Sequence, residues 1–316
     1  MLREKILKRP VVSTVRIFIV LMAVHAYETL VMRLDQTAWG ENFLTKVIGI
    51  LLLFFLLKQL FWTWDDIGFD FDELSEGFSK GIKIAILCFT FADCFELLYL
   101  SASGKRPHFE IFTGSFSRAG EMVKAAGAGA YILCILFNII NVWMEEGMFR
   151  GLFINMMNTR MKFLSAGLIS AVLFGIWHWV LPIRSFIDGE LDGKKALLYA
   201  GGYFILAAMM GIKWAMMREM DGYIWQAATD HLFNNLVVTN LLHVVTDSGV
   251  DEWLIARVAL GQILSFLMIL ILYRKKDQPV VEKPRRFRRP PLMISKEKSQ
   301  QEAKNAKKAN TKKRKK

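Results

Sequence analysis

Cysteine is scarce in this chain, with three in 316 residues. None of Cys88, Cys94 and Cys134 shows Cys-x-x-Cys or other ligand spacing, which argues against a disulfide framework or a cysteine-based metal site. Each lies in an apolar stretch and reads as a small packing residue. His-Glu-x-x-His is absent, as are Gly-x-Ser-x-Gly and any rhomboid-like serine motif, so zincin-type and serine-type hydrolysis lack their usual residues. No internal repeat has a fixed period, which speaks against a repeat-built transporter. No Gly/Ser linker separates two domains. The first apolar run is long and lacks a small-residue cleavage site, so no removable signal is expected.

What the chain has is apolar length. It is 53% hydrophobic with a mean hydropathy of +0.30, gathered into windows of about 20 residues, the length that crosses a hydrocarbon core. Eight windows stand out, roughly 11–34, 43–64, 79–101, 128–156, 163–183, 197–217, 222–244 and 253–273. The fold expected is an all-α polytopic membrane bundle of about eight transmembrane helices, occupying residues 1–273, with its first span peripheral.

The net charge is +12, but it is unevenly placed. Residues 274–316 hold 18 Lys and Arg against 4 Asp and Glu, a balance of +14 that leaves −2 for the preceding 273. This tail carries Pro279, Pro284, Pro290 and Pro291 and ends in Lys-Lys-Arg-Lys-Lys. It cannot build a core and is expected to be disordered. Following a final span, it reads as a cytoplasmic anchor attracted to anionic headgroups of the lipid bilayer, with no nucleic acid expected as partner. An even number of spans and a basic N-terminus (Arg3, Lys5, Lys8, Arg9) place both termini in the cytoplasm. The protein is thus expected to be integral and multi-pass, in the cell membrane if bacterial.

Two connecting stretches are informative. Phe116 to Lys124 reads as a short interfacial helix. The 65–78 loop alternates Asp65, Asp66, Asp70, Asp72, Glu73 and Glu76 with Phe69, Phe71 and Leu74. It lacks calcium-loop spacing and reads as an acidic interfacial segment.

The charges inside the apolar windows carry the chemistry. Glu145, Glu146 and Arg150 fall in a stretch that otherwise reads as a span. A charge at the bilayer centre costs roughly 2.5–3.5 kcal/mol on insertion scales, so three together need partners. On a helix Glu146 and Arg150 are i and i+4 and can pair. Glu145 is rotated about 100° away, which leaves it free to act on a water. Phe174 and His178 are one turn apart in another window. His231 and Asn235 are i and i+4 in a third, where imidazole and carboxamide can face a developing oxyanion. Asp230 and Asn234 are expected to face elsewhere. A carboxylate removed from water is a competent general base near neutral pH. Alternatively, Glu145, His178 and His231 could hold a zinc ion with an open position for water.

The order Glu145-Glu146-x-x-x-Arg150, Phe174-x-x-x-His178, His231-x-x-x-Asn235 resembles the CPBP intramembrane proteases. That family comprises CAAX proteases and bacteriocin-processing enzymes, including the type II CAAX prenyl endopeptidases and the abortive-infection proteins. The local contexts Met-Glu-Glu-Gly-Met-Phe-Arg-Gly, Phe-Gly-Ile-Trp-His and Gly-Tyr-Ile-Trp-Gln-Ala-Ala-Thr-Asp-His are similar too, over about 140–245. The resemblance implies a protease core there, acting on a membrane-associated peptide or protein. It implies that Glu145 and His178 activate water, that His231 and Asn235 stabilise the oxyanion, and that Glu146 and Arg150 support them. The competing expectations are a non-catalytic immunity or assembly partner of the same fold and, more remotely, a proton-relaying transporter.

The tail contributes charge and no apolar burial. Deletion from about residue 280 onward should therefore leave the detergent-extracted protein's thermal transition in place. Loss of that transition would show that the tail packs on the body.

Overall fold

The computed structural model describes residues 2–37, 39–114 and 127–275. The expected interfacial helix at 116–124 and the tail from 276 onward lie outside the described residues. Helices α1 (Leu2–Lys8), α2 (Pro10–Tyr27), α3 (Leu44–Leu60) and α4 (Leu74–Ala102) precede the motif region. Helices α5 (Ala128–Glu145), α6 (Ile154–Asn158), α7 (Phe163–Trp177), α8 (Val180–Ile187), α9 (Gly193–Asp221) and α10 (Trp225–Leu232) carry it, and α11 (Leu254–Lys275) closes the bundle. Two four-residue strands, β1 (His108–Ile111) and β2 (Leu242–Val245), pair antiparallel with His108 opposite Val245. The described residues form a polytopic helical bundle with this one small strand pair.

Each of the eight apolar windows corresponds to helix, but among the described residues six helical stretches are long and apolar enough to cross a bilayer. The window at 43–64 yields the 17-residue α3, stopped where Phe61 takes a left-handed conformation. The window at 222–244 is divided into α10 and a π-helical segment, Phe233–Thr239, before β2.

Helix backbones approach closely where side chains vanish. A Cβ on Gly81 of α4 would come within 2.6 Å of the Gln226 carbonyl and 2.7 Å of Thr229 on α10. Such small-residue contacts drive helix association in lipid, where burial of apolar surface gives no preference.

The acidic 65–78 stretch is two-sided. Its 3₁₀ turns, Asp65–Ile67 and Phe71–Glu73, bury Ile67 and Phe69. Phe69 stacks on Trp143 at 4.9 Å and meets Trp225 edge-on at 5.2 Å. Residues 246–252 carry Asp247, Asp251 and Glu252. Asp251 is buried, bonded to Arg257 and 3.2 Å from His243, while Arg257 reaches Glu96 of α4 at 2.7 Å. This network fastens the strand pair to α4 and α11. The first span lies on the outside for most of its length, yet His25 stacks on Trp177 at 4.2 Å.

Packing at Gly81 sets opposite expectations for two glycine substitutions. Gly81→Ala should lower the thermal midpoint in detergent, because overpacking costs about 1–3 kcal/mol. A Cβ on Gly201 of α9 meets nothing within 4 Å, so Gly201→Ala should leave the midpoint unchanged or raise it by up to about 1 kcal/mol through helix propensity. Equal responses of the two variants would refute the close approach of α4 and α10.

Candidate active site

Glu145 is the last residue of α5, and the chain continues without a break into a π-helical segment, Glu146–Phe153. A π turn bonds i to i+5 and is found mostly as a local widening at functional sites. Backbone groups freed from regular helical pairing must find partners in the bundle interior. Ser170 Oγ donates to the Phe149 carbonyl at 2.6 Å. Arg218 of α9 donates to the Arg150 carbonyl and, at 2.8 Å, to Asn155 Oδ1. These bonds hold the wide turn against α7 and α9.

Glu146 and Arg150 are completely buried side chains with a separation of 3.3 Å between Glu146 Oε1 and the guanidinium. The same oxygen accepts from His231 Nδ1 at 2.8 Å. The guanidinium also lies over the rings of Phe174, at 4.0 Å, and Trp214, at 4.6 Å. Aromatic faces supply the attraction that bonds to neutral groups would otherwise provide. Glu146 therefore does more than pair with Arg150: it also holds His231.

Glu145 is buried and points a different way. Its Oε1 accepts from Trp177 Nε1 at 3.0 Å, and its Oε2 lies 3.5 Å from His231 Nε2. His178 Nδ1 is 2.8 Å from the Phe174 carbonyl. A carbonyl only accepts, so Nδ1 bears the hydrogen and Nε2 is left as the acceptor. The same reasoning at Glu146 puts the hydrogen of neutral His231 on Nδ1, and Asn235 Nδ2 then donates to His231 Nε2 at 3.2 Å. The ring of Phe174 meets both imidazoles edge-on, 4.7 Å from His178 and 6.2 Å from His231.

A directed chain of bonds stands behind Asn235. Lys213, fully buried on α9, donates to Asp230 Oδ2 (2.5 Å), Gln262 Oε1 (2.6 Å) and Ser265 Oγ (2.8 Å). Gln262 Nε2 donates to Asn234 Oδ1 at 3.0 Å, and Asn234 Nδ2 donates to Asn235 Oδ1 at 3.0 Å. An ammonium has no acceptor, so Lys213 fixes the orientation of each amide in turn and aims Asn235 Nδ2 at His231. Trp214 completes the frame, donating to Asp230 Oδ2 at 2.7 Å and stacking on His231 at 4.1 Å. Asn234 was expected to face elsewhere. Instead it joins this chain, because the helix has passed into the π-helical Phe233–Thr239 by that point.

Glu145, His178, His231 and Asn235 line one cavity of about 280 Å³. Asn138, Asn141, Asn234 and Asn240 extend its polar wall, and Leu181, Leu206, Met210, Ile255 and Val258 make an apolar one. Glu146 and Arg150 lie behind it. Glu145, His178 and His231 were the donors expected as a possible zinc set. Among the described residues no three His, Cys, Asp or Glu side chains converge to hold an ion. Sequence reasoning missed Trp177, Trp214, Lys213, Arg218 and Gln262. A lysine and an arginine inside the α9 window were the available signal.

Residues 127–237, which contain all six motif residues, match the family model described as Type II CAAX prenyl endopeptidase Rce1-like. The match over that segment supports the CPBP/CAAX protease family. No curated protein and no solved structure matches it. With six helical stretches suited to crossing a bilayer, it is a multi-pass integral membrane protein.

The bond chain makes Gln262, outside the matched segment, a testable element. Gln262→Leu removes an acceptor from Lys213 and a donor from Asn234, at about 1–3 kcal/mol for each buried group left bare. A clear drop in thermal midpoint is expected, and an unchanged midpoint would show that the chain contributes no stability.

Proposed function

We propose that this protein is an intramembrane endopeptidase that hydrolyses a peptide bond of a membrane-associated substrate, of the prenylated CAAX class, with water as nucleophile. The observation that carries the reading is the shared cavity. It brings a buried carboxylate, two imidazoles with Nε2 lone pairs and a carboxamide donor together against an apolar wall. The substrate class comes from the matched family's description.

In this mechanism Glu145 Oε2 takes a proton from a water that His178 Nε2 orients. The resulting hydroxide adds to the scissile carbonyl carbon. Charge developing on the carbonyl oxygen is met by Asn235 Nδ2–H, a preorganised donor of the kind that serves acyl transfer, with His231 holding that amide in place. Glu145, now a carboxylic acid, returns its proton to the amine as the C–N bond breaks. Trp177 fixes the orientation of Glu145. Glu146 and Arg150 fix His231.

Both termini are placed in the cytoplasm by the basic N-terminus and tail. The tail's charge suits anionic headgroups on that side.

Cleavage of an S-farnesylated peptide by the purified protein in proteoliposomes tests the roles. Glu145→Gln keeps size but removes basicity and should slow cleavage by about 10²–10⁴. His178→Ala should act similarly, and the double variant should be scarcely worse than either, because groups acting as a unit are non-additive. Glu146→Gln should instead lower the thermal midpoint, since it leaves Arg150 charged and unpaired. Wild-type rates from Glu145→Gln would favour a non-catalytic partner protein and end the proteolytic reading.

A further inference from the structure

The first span lies outside the segment matched to the family, yet its C-terminal end is fastened to the elements around the site. Buried Glu28 accepts from the backbone N–H groups of Leu44 (2.6 Å) and Thr45 (2.8 Å), which ties the span to the start of α3. Arg33 donates to both carboxylate oxygens of Asp188, at 2.5 and 3.1 Å. Arg184 reaches back to Asp35 at 2.8 Å. Arg184 belongs to α8 and Asp188 ends it, and that helix begins two residues after His178. His25 stands just before these ties, its Nδ1 3.4 Å from the hydroxyl of buried Thr29 one turn on. Its ring is therefore borne by an anchored stretch of an otherwise peripheral helix.

That ring lies on Trp177, with centroids 4.2 Å apart and planes 16° from parallel. Trp177 is buried at the last position of α7 and donates to Glu145 Oε1 at 3.0 Å. The χ2 torsion of a tryptophan has broad, shallow preferences, so packing must decide where its N–H points. Phe149 meets the indole edge-on at 5.8 Å, and a flat ring on the indole face opposes the rotation that would swing Nε1 off Glu145. Glu145 lines the cavity, whereas neither His25 nor Trp177 is among the described residues that do. We propose that His25 is a positioning residue for Glu145. Its stack keeps the Trp177 N–H on Oε1, which leaves Oε2 turned to the cavity. The proposal rests on the reading of Glu145 as the base, and it brings the first span into the working site.

The test uses the full-length protein in detergent micelles, with nitrogen-15 in its tryptophan indoles. The Trp177 N–H resonance is the one that Trp177→Phe removes. Glu145→Gln should displace it, because an amide oxygen accepts more weakly than a carboxylate. In His25→Leu and His25→Gln, which lack an aromatic face, that displacement should be largely lost. In His25→Phe, which keeps the stack, it should remain. Reading the displacement, not the resonance position, cancels the direct effect of exchanging the neighbouring ring. A full displacement in either folded non-aromatic variant overturns the proposal, as does its loss in His25→Phe or its absence in the wild type. Cleavage of the S-farnesylated peptide gives the second readout. In His25→Leu kcat should fall about three- to tenfold with KM unchanged, the rate factor that an aromatic stack's strength corresponds to. His25→Phe should restore it, and in a Trp177→Phe background His25→Leu should cost nothing more, since residues acting as a unit are non-additive. Wild-type kcat in His25→Leu overturns the positioning role and leaves the protease standing. The expected displacements without any cleavage by the wild type leave His25 holding Glu145 in a protein that is not a protease.

Discussion

A guanidinium closed off from water in the interior of a membrane bundle has to be compensated on every side, and Arg150 shows how this chain does it. One carboxylate oxygen of Glu146 approaches it at 3.3 Å, and the faces of Phe174 and Trp214 cover it. Removing charge from water costs several kcal/mol per ion even after relaxation, so such a pair is tolerated only with good geometry and further bonds. The further bond is the one to His231. Because Glu146 answers to both Arg150 and His231, the segment after α5 is tied to α7, α9 and α10 at a single point. Glu145, one residue earlier, is then turned to the cavity, with Trp177 on one oxygen and the other free to meet a water.

The π-helical turn that places these groups has its own cost and its own compensation. In a bundle interior no water replaces a missing backbone partner. Ser170 and Arg218 supply bonds to the Phe149 and Arg150 carbonyls. The third motif helix also changes to π geometry, at Phe233, two residues after His231. That brings Asn234 and Asn235 together, so that the amide chain from Lys213 can reach them. A widened turn in two of the three motif helices and a buried ion behind each of those two produce one rigid polar wall facing an apolar one.

Much of this was legible in the residues because the rules involved are local. Apolar windows located the helices, and i,i+4 spacing anticipated the contact between Glu146 and Arg150 and that between His231 and Asn235. The rest depends on partners distant in sequence or on departures from α geometry. Trp177 and Trp214 look like any aromatic in an apolar span, and only the fold brings their N–H groups to Glu145 and Asp230. Asn234 was assigned a different face because α-helical rotation was assumed where the chain is π-helical. The zinc alternative followed from residue types alone, and among the described residues no three such side chains converge. Nothing nearby in sequence announces the bond of Asp251 to Arg257 or its closeness to His243.

The central claim is that the Glu145 cavity splits a peptide bond with water. The most direct measurement is mass spectrometry of a farnesylated peptide incubated with the purified wild-type protein in water enriched in oxygen-18. The account predicts two fragments, with the heavy oxygen in the newly formed carboxyl group and no such product from Glu145→Gln. An intact peptide after prolonged incubation with folded protein, or labelled fragments formed equally by Glu145→Gln, would contradict it.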